Sequence, residues 1–200
     1  MSFPHRYSFP AALFALTATL TLVGCVAAPP AAVPDGSPGV VRPITFPVSG
    51  GASYIDSFGA PRSGGRIHEG QDLMGTKGTP LVAAVNGVIT RVRHDTTGMS
   101  GNSLTIEGDD GWTYVYIHIN NDSPGTDDGL NPFHHAFAPG VAVNRRVVAG
   151  ELVAYLGDSG TAESTSPHLH FEIRTPDGTV INAYPSLRAA GAAPMIPRTW

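Results

Sequence analysis

Two histidines one residue apart stand in the run from Ser166 to Arg174, which has the composition of a β-strand. Side chains at positions i and i+2 of an extended strand leave the same face. His168 and His170 are therefore predicted to point together, while the apolar residues between and after them point the opposite way. Neutral imidazole nitrogen is a standard zinc ligand, and packing would fix its direction. The run thus predicts one face for a metal and one for the core.

A second run supplies further ligand types. His68 and Asp72 offer an imidazole and a carboxylate four residues apart. Together with His170 they would make three protein ligands and leave a fourth tetrahedral position for water, as in a catalytic zinc site. The single cysteine of the chain excludes both an internal disulfide and a thiolate zinc cluster.

A third run, from Tyr114 to His118, alternates aromatic and branched side chains. The period of two predicts that Tyr116 and His118 share one face of a strand, while Ile117 and Ile119 share the other. His118 is therefore a fifth candidate site residue. Tyr116 is open to two interpretations, because it either orients substrate from the site face or packs.

These three runs, in this order, resemble the signature motifs of the M23 zinc metallopeptidases of the LytM or lysostaphin type. The resemblance covers residues 44–185, although Ser166 stands where the family commonly has glycine. It implies a peptidase domain with one zinc ion, three ligands and two catalytic histidines that are not ligands. The implied ligands are His68, Asp72 and His170, and the implied catalytic histidines are His118 and His168.

The family resemblance also implies an activity, which is hydrolysis of peptide bonds in the stem peptides or crossbridges of bacterial peptidoglycan. No His-Glu-x-x-His helix supplies a glutamate base, so proton transfer would be carried out by His118 and His168. Glu69 and Glu172 are rival candidates for a base, the alternative being a partner for an arginine or a solvated carboxylate.

Two other functions stay open beside the peptidase. Some relatives of this fold have lost their ligands and serve as peptidoglycan-binding modules or as activators of other wall hydrolases. A zinc-binding lipoprotein for metal handling is a third possibility, but it would favour open histidine-rich tracts over one compact set. Because the five candidate residues are all present, the sequence favours the zinc endopeptidase.

The composition favours a β-rich globular domain. The chain has 200 residues, of which 42% are hydrophobic, and its 24 glycines and 18 prolines predict many turns. No segment shows a sustained helical period, so the predicted fold is all-β, mainly antiparallel sheet with long loops. A formal net charge of -4 argues against a nucleic-acid partner.

Turn signals predict which strands pair. Asn86-Gly87 predicts a hairpin between the strands on either side of it. Residues 108–111 and 176–178 predict two more. Residues 120–139 form a long loop that either walls the substrate groove or is a surface insertion. Its acidic residues lack the spacing of a calcium loop.

Four segments divide the chain. Residues 1–24 have the weakly basic start and apolar run of an export signal. The four residues that end in Cys25 resemble the lipobox of bacterial lipoproteins, which predicts cleavage before Cys25, lipidation and a membrane anchor. An uncleaved anchor and ordinary secretion are the alternatives, and each places the domain outside the cytoplasm. Residues 25–43 form a proline- and alanine-rich linker, 44–188 the peptidase domain and 189–200 a tail.

Overall fold

The computed structural model describes Met1 and residues 40–191, so the predicted signal segment and Cys25 lie outside the described residues. The described strands are β1 (Gln71–Met74), β2 (Pro80–Val82), β3 (Gly87–Arg93), β4 (Asn102–Gly108), β5 (Thr113–Ile119), β6 (Arg146–Val147), β7 (Leu152–Tyr155), β8 (His168–Arg174) and β9 (Val180–Ile181). The described α-helices are α1 (Phe133–Ala136) and α2 (Tyr184–Ala189), and two 3-10 helices span Ser63–Gly65 and Gly160–Ala162. None of the described helices has the length and apolar character needed to cross a bilayer. The predicted antiparallel β fold is confirmed.

Seven strands form one sheet in the order β1-β8-β5-β4-β3-β6, with β9 also paired to β8, and β2 and β7 form a second sheet. All of these pairings are antiparallel. Because β8 lies between β1 and β5, the register places His170 opposite Asp72 on one side and opposite Ile117 on the other. Sheet pairing thus brings Asp72 and His170, 98 residues apart in sequence, side by side.

The core covers one face of β8. Leu169, Phe171 and Ile173 have no exposed surface, whereas His168 and His170 lie on the face that lines a groove. Burial of one such apolar side chain stabilises the fold by about 1.5 to 3 kcal/mol. The alternation predicted for this strand is therefore confirmed, and the same packing that stabilises the sheet holds the two histidines in position.

The alternation predicted for β5 is wrong at its end. His118 has φ of 64°, in the left-handed region, and the pairing register with β4 shifts at the same point, which indicates a β-bulge. Both Ile117 and His118 consequently line the groove. Tyr116 points into the core instead, where its hydroxyl donates to the carbonyl of Val82 (3.0 Å) and accepts from the amide of Ala84 (2.7 Å). Tyr116 therefore packs and is no substrate contact.

Two of the three predicted hairpins are confirmed, at residues 108–111 between β4 and β5 and at 176–178 between β8 and β9. The hairpin predicted at Asn86-Gly87 is wrong, since β2 pairs with β7 while β3 pairs with β4 and β6. The Asn86 side chain accepts a hydrogen bond from the amide of Ala149, and its carbonyl accepts one from the amide of Asp109. The chain therefore passes from the two-stranded sheet to the seven-stranded sheet at this point, and these two hydrogen bonds hold Asn86 in place.

Candidate active site

Three side chains from β1, the turn before it and β8 converge at one end of the groove. His68 Nε2 lies 2.9 Å from Asp72 Oδ1, His170 Nδ1 lies 3.0 Å from the same oxygen, and the two nitrogens are 3.0 Å apart. Ligands about 2.0 Å from a shared ion at tetrahedral angles are about 3.3 Å apart. The structure therefore brings the three predicted zinc ligands to nearly the separation that a zinc ion requires.

The outer ring nitrogens determine which atoms face inward. His68 Nδ1 is 2.8 Å from the carbonyl oxygen of Ser57, which can only accept, so Nδ1 carries the proton. His170 Nε2 is 3.1 Å from Glu172 Oε1, which likewise accepts. In the neutral rings the inner nitrogens therefore carry lone pairs, and they face both each other and the Asp72 oxygen. A metal cation would satisfy all three atoms at once, and two imidazoles with one carboxylate suit zinc.

The electrostatics of the cluster also favour a cation. Burial alone would raise the pKa of Asp72, but the neighbouring His170 and His68 hold that pKa far below its usual value, so the carboxyl group is ionised. Burial alone would lower the pKa of His170, but Asp72 and Glu172 raise it above its usual value. Because an imidazole is pushed toward its charged form despite burial, the site has a negative potential that a metal ion would neutralise.

Two further histidines line the groove with one ring nitrogen free. His118 Nδ1 donates to the carbonyl of Ser159 and His168 Nδ1 donates to the carbonyl of Ser166, each at 2.8 Å. The two ring centres are 5.0 Å apart, and His168 Nε2 lies 3.8 Å from Asp72 Oδ1. Burial lowers the pKa of His118 to about 4, so its Nε2 bears a lone pair at neutral pH. Both rings can therefore accept or donate a proton beside the ligand cluster.

The groove itself has a volume of about 1160 Å³ and is lined by residues of β1, β5, β8 and the loops at 61–67, 99–100 and 161–166. Glu69 is exposed in it. Glu172 is nearly buried and accepts hydrogen bonds from His170 and from Arg174 Nε (2.8 Å). Glu172 is thus the arginine partner that was the alternative to a base, and it also fixes the orientation of His170.

The long segment 120–139 contributes none of the groove-lining residues within the described chain. Lys77 Nζ contacts the segment by donating to Asp122 (2.6 Å) and Asp127. The same ammonium group also forms an ion pair with Asp158 (2.9 Å). The structure therefore favours a surface insertion over a groove wall.

Two further sets of metal-ligand residue types lie in or beside this segment. Carboxylates of Asp122, Asp127 and Glu163 approach one another, but the Lys77 ammonium already supplies positive charge to the first two. His134 and His135 belong to neither group of described residues that could hold a metal ion.

Two contributors to the site were not anticipated from sequence. A Cβ at Gly70 would lie 2.6 Å from His170 Nε2 and 2.7 Å from the carbonyl of Phe171, so only glycine leaves room for that imidazole. Arg62 donates to Asp72 Oδ2, which leaves Oδ1 directed at the histidines. The signal for Gly70 was its place between His68 and Asp72, but which ring it accommodates depends on a strand far along the chain.

Comparison with known proteins extends these observations. The model of peptidase family M23 matches residues 66–183, more than half of the chain. The DD-carboxypeptidase/endopeptidase Mpg of Neisseria meningitidis is 32% identical over 109 residues, which are 54% of this chain and 20% of that protein. The murein hydrolase activator NlpD of Salmonella typhimurium is 32% identical over 120 residues, 60% of this chain and 26% of that protein. The chain thus spans about a quarter or less of either relative.

Solved structures include the catalytic domain of the antimicrobial peptidase lysostaphin from Staphylococcus simulans. It is similar to this chain with a TM-score of 0.52 and 25% identity, and the matched region covers 68% of this chain and 92% of that domain. The family match includes all five candidate site residues, and the antiparallel fold agrees with the lysostaphin domain. The chain therefore belongs to peptidase family M23.

Proposed function

We propose that the protein is a zinc-dependent endopeptidase that cleaves peptide bonds in the stem peptides or crossbridges of peptidoglycan. The observation that carries the proposal is the complete set of groups in one groove: three converging lone-pair atoms and two imidazoles with a free Nε2. Relatives named as an endopeptidase and as a murein hydrolase activator support both the bond type and the polymer.

The residues that would hold one zinc ion are His68, Asp72 and His170, through Nε2, Oδ1 and Nδ1. When bound, zinc would supply Lewis acidity, which lowers the pKa of water to about 7 and polarises a carbonyl group. Ser57 and Glu172 keep the outer protons on the two ligand rings, so the inner lone pairs stay available. Arg62 holds the second oxygen of Asp72 and thereby fixes the carboxylate plane.

His118 and His168 carry the proton transfers. The neutral Nε2 of one ring accepts a proton from the attacking water, and the other ring, when protonated, donates to the leaving amine or stabilises the negative charge on the substrate oxygen. Carbonyl groups of Ser159 and Ser166 hold Nδ1 protonated, so the free atom in each ring is Nε2. The ring centres are 5.0 Å apart in the same groove, so both rings are available to one bound substrate.

The cellular location of this activity is proposed from the sequence features of residues 1–43. We propose that residues 1–24 direct export, that Cys25 receives the lipid anchor and that residues 25–43 tether the domain of residues 44–188 outside the cytoplasm. Such a tether would place the groove within reach of the wall polymer.

A second candidate function is activation of other murein hydrolases, which the similarity to NlpD favours. The two functions differ in what they require of the groove. An activator does not need two imidazoles with free Nε2 atoms beside a set of metal-ligand side chains, whereas a peptidase requires them. The intact arrangement therefore supports the peptidase.

The test is digestion of purified peptidoglycan by the full-length, zinc-loaded protein in detergent, with released fragments read by mass spectrometry. Parallel samples contain a chelator, His118→Ala, and the control His134→Ala, an exposed histidine outside the groove. We expect fragments from the wild type and His134→Ala, restoration by zinc after chelation, and a loss of at least about 100-fold in His118→Ala.

Zinc binding by His118→Ala should equal that of the wild type, because His118 is not among the proposed ligands. If zinc binds but no wall chemotype releases fragments, the peptidase proposal is wrong. Stimulation of a separate murein hydrolase would then establish the activator.

A further inference from the structure

The groove wall includes a tight turn, residues 61–67, that contains two arginines. Pro61 and Ile67 form a β-bridge, and the amide of Arg62 donates to the carbonyl of Arg66 at 2.9 Å. Gly64 lies between them with φ of 74°, a conformation that favours glycine. The turn is therefore closed by its own backbone, and both guanidinium groups line the groove.

The two arginines differ in their partners. Arg62 is paired with the carboxylate of Asp72. The hydrogen-bond partners of Arg66 are neutral groups: its Nε donates to the carbonyl of Ser63 at 3.2 Å, one Nη donates to the Ser63 hydroxyl at 3.4 Å, and the other Nη approaches the sulfur of Met99. Thioether sulfur is a weak acceptor. Within residues 40–191, no carboxylate forms an ion pair with Arg66, whose side chain is exposed.

The formal charge of the groove lining is zero without a metal and becomes positive once a divalent ion is bound. Its lining contains three arginines (Arg62, Arg66 and Arg174) and three acids (Glu69, Asp72 and Glu172), so these six side chains sum to zero. A divalent ion makes the total +2, whereas the whole chain has a formal net charge of -4. A cleft of one sign attracts ligands of the opposite sign. The metal-loaded groove therefore favours an anionic peptide.

We infer that Arg66 binds a carboxylate of the substrate, so that the preferred substrate class is a peptide with free carboxylates rather than an uncharged glycine bridge. Guanidinium and carboxylate form short, charge-assisted hydrogen bonds that a neutral amide does not reproduce. The remaining N–H groups of Arg66 are available for this contact. The inference rests on the proposed peptidase function and selects among the substrates that this function leaves open.

The kinetic test uses two synthetic stem-type peptides with the same scissile bonds, one with its carboxylates free and one fully amidated. They are compared on the zinc-loaded wild type, Arg66→Gln and Arg91→Gln, the last being an exposed arginine on β3 outside the groove. Amidation should lower kcat/KM about tenfold in the wild type and Arg91→Gln, mainly through KM. In Arg66→Gln most of this difference should disappear, because only the weaker attraction by the remaining groove charge is left.

A binding measurement separates this inference from the peptidase proposal. Zinc-loaded His118→Ala protein, with and without Arg66→Gln, is titrated with fluorescent forms of both peptides, and anisotropy is followed. If the wild type cleaves neither peptide but binding prefers the free carboxylates through Arg66, the peptidase proposal fails and the carboxylate site stands. Cleavage with the same preference in wild type and Arg66→Gln, or no binding of either peptide, overturns the inference.

Discussion

At the scale of single residues, the candidate metal centre depends on neighbouring groups that are not themselves proposed ligands. The carbonyl of Ser57 and the carboxylate of Glu172 each hold the outer proton of a ligand ring, which leaves the inner nitrogen bare. Gly70 contributes by having no side chain, because the imidazole of His170 occupies the space where a Cβ would lie. We therefore expect zinc affinity to depend on the surroundings of the rings as well as on the rings themselves.

Gly70→Ala should displace the His170 ring and weaken zinc binding about 10- to 100-fold, the range expected when support of a ligand is lost. Competition with a chromogenic chelator measures the affinity. Gly75→Ala is the matched control, because its Cβ would meet the tip of the flexible Leu156 side chain and no ligand. Equal zinc affinity in both variants would show that the His170 ring accommodates a methyl group at position 70, so that glycine is not required there.

At the scale of secondary-structure elements, the end of β5 decides which side chain enters the groove. The bulge turns His118 onto the groove face, and the segment before β8 holds it there through the carbonyl of Ser159. The Ser159 hydroxyl in turn accepts from the amide of Asn102 (3.0 Å) and donates to the carbonyl of Ile119 (2.5 Å). One buried serine therefore ties the start of β4, the end of β5 and the imidazole together.

Ser159→Ala should lower kcat roughly tenfold, a part of the total contribution of general acid–base catalysis, because the carbonyl that orients His118 loses its support. It should also cost about 1 to 3 kcal/mol of stability, since two buried main-chain groups lose a partner. Zinc affinity should not change. Steady-state kinetics, urea unfolding and chelator competition provide the three measurements.

The matched control for that variant is Ser186→Ala. Ser186 is also fully buried, and its hydroxyl accepts a hydrogen bond from the amide of Arg42, remote from the groove. It should lose stability with kcat unchanged. A comparable loss of kcat in both variants would mean that Ser159 acts only through general stability.

At the scale of the whole molecule, the described domain is closed by contacts between its first residues and the β4–β5 turn. Arg42 lies over the ring of Trp112, 4.4 Å from its centre, and donates to Asp110 at 2.8 Å. Tyr114 donates to the same carboxylate at 2.7 Å. Burial alone would raise the pKa of Asp110, but the hydrogen bonds from Arg42 and Tyr114 outweigh it and hold that pKa below its usual value.

Because the pKa of Asp110 is lower in the folded protein, its contribution to stability is present above the unfolded-state value of about 3.9 and is lost as the pH falls through the folded-state value. Asp110→Asn should therefore lower the free energy of unfolding by about 1 kcal/mol at neutral pH. The difference from wild type should shrink below about pH 4. Urea unfolding across this pH range gives both numbers.

Asp109→Asn is the control, since Asp109 pairs with Arg146 in a more exposed position. Its effect at neutral pH should be smaller than that of Asp110→Asn. A difference between Asp110→Asn and wild type that stays constant through the acid range would refute the assignment of a lowered pKa to Asp110.

The sequence by itself determined the types and order of the candidate site residues, the antiparallel β class and the two faces of β8. It also predicted the hairpins at 108–111 and 176–178, because strand periodicity and turn chemistry depend on residues close in the chain. These features needed no knowledge of distant partners.

Only the tertiary structure decided the remaining features. The bulge that separates His118 from Tyr116, the failure of Asn86-Gly87 to form a hairpin, and the space that Gly70 leaves for His170 all depend on which strands pair and in what register. The register between β1 and β8 places Asp72 beside His170, 98 residues apart, and no local pattern contains that information. Local periodicity therefore predicted the faces of the strands, the family resemblance implied the chemistry, and long-range packing determined the geometry of the site.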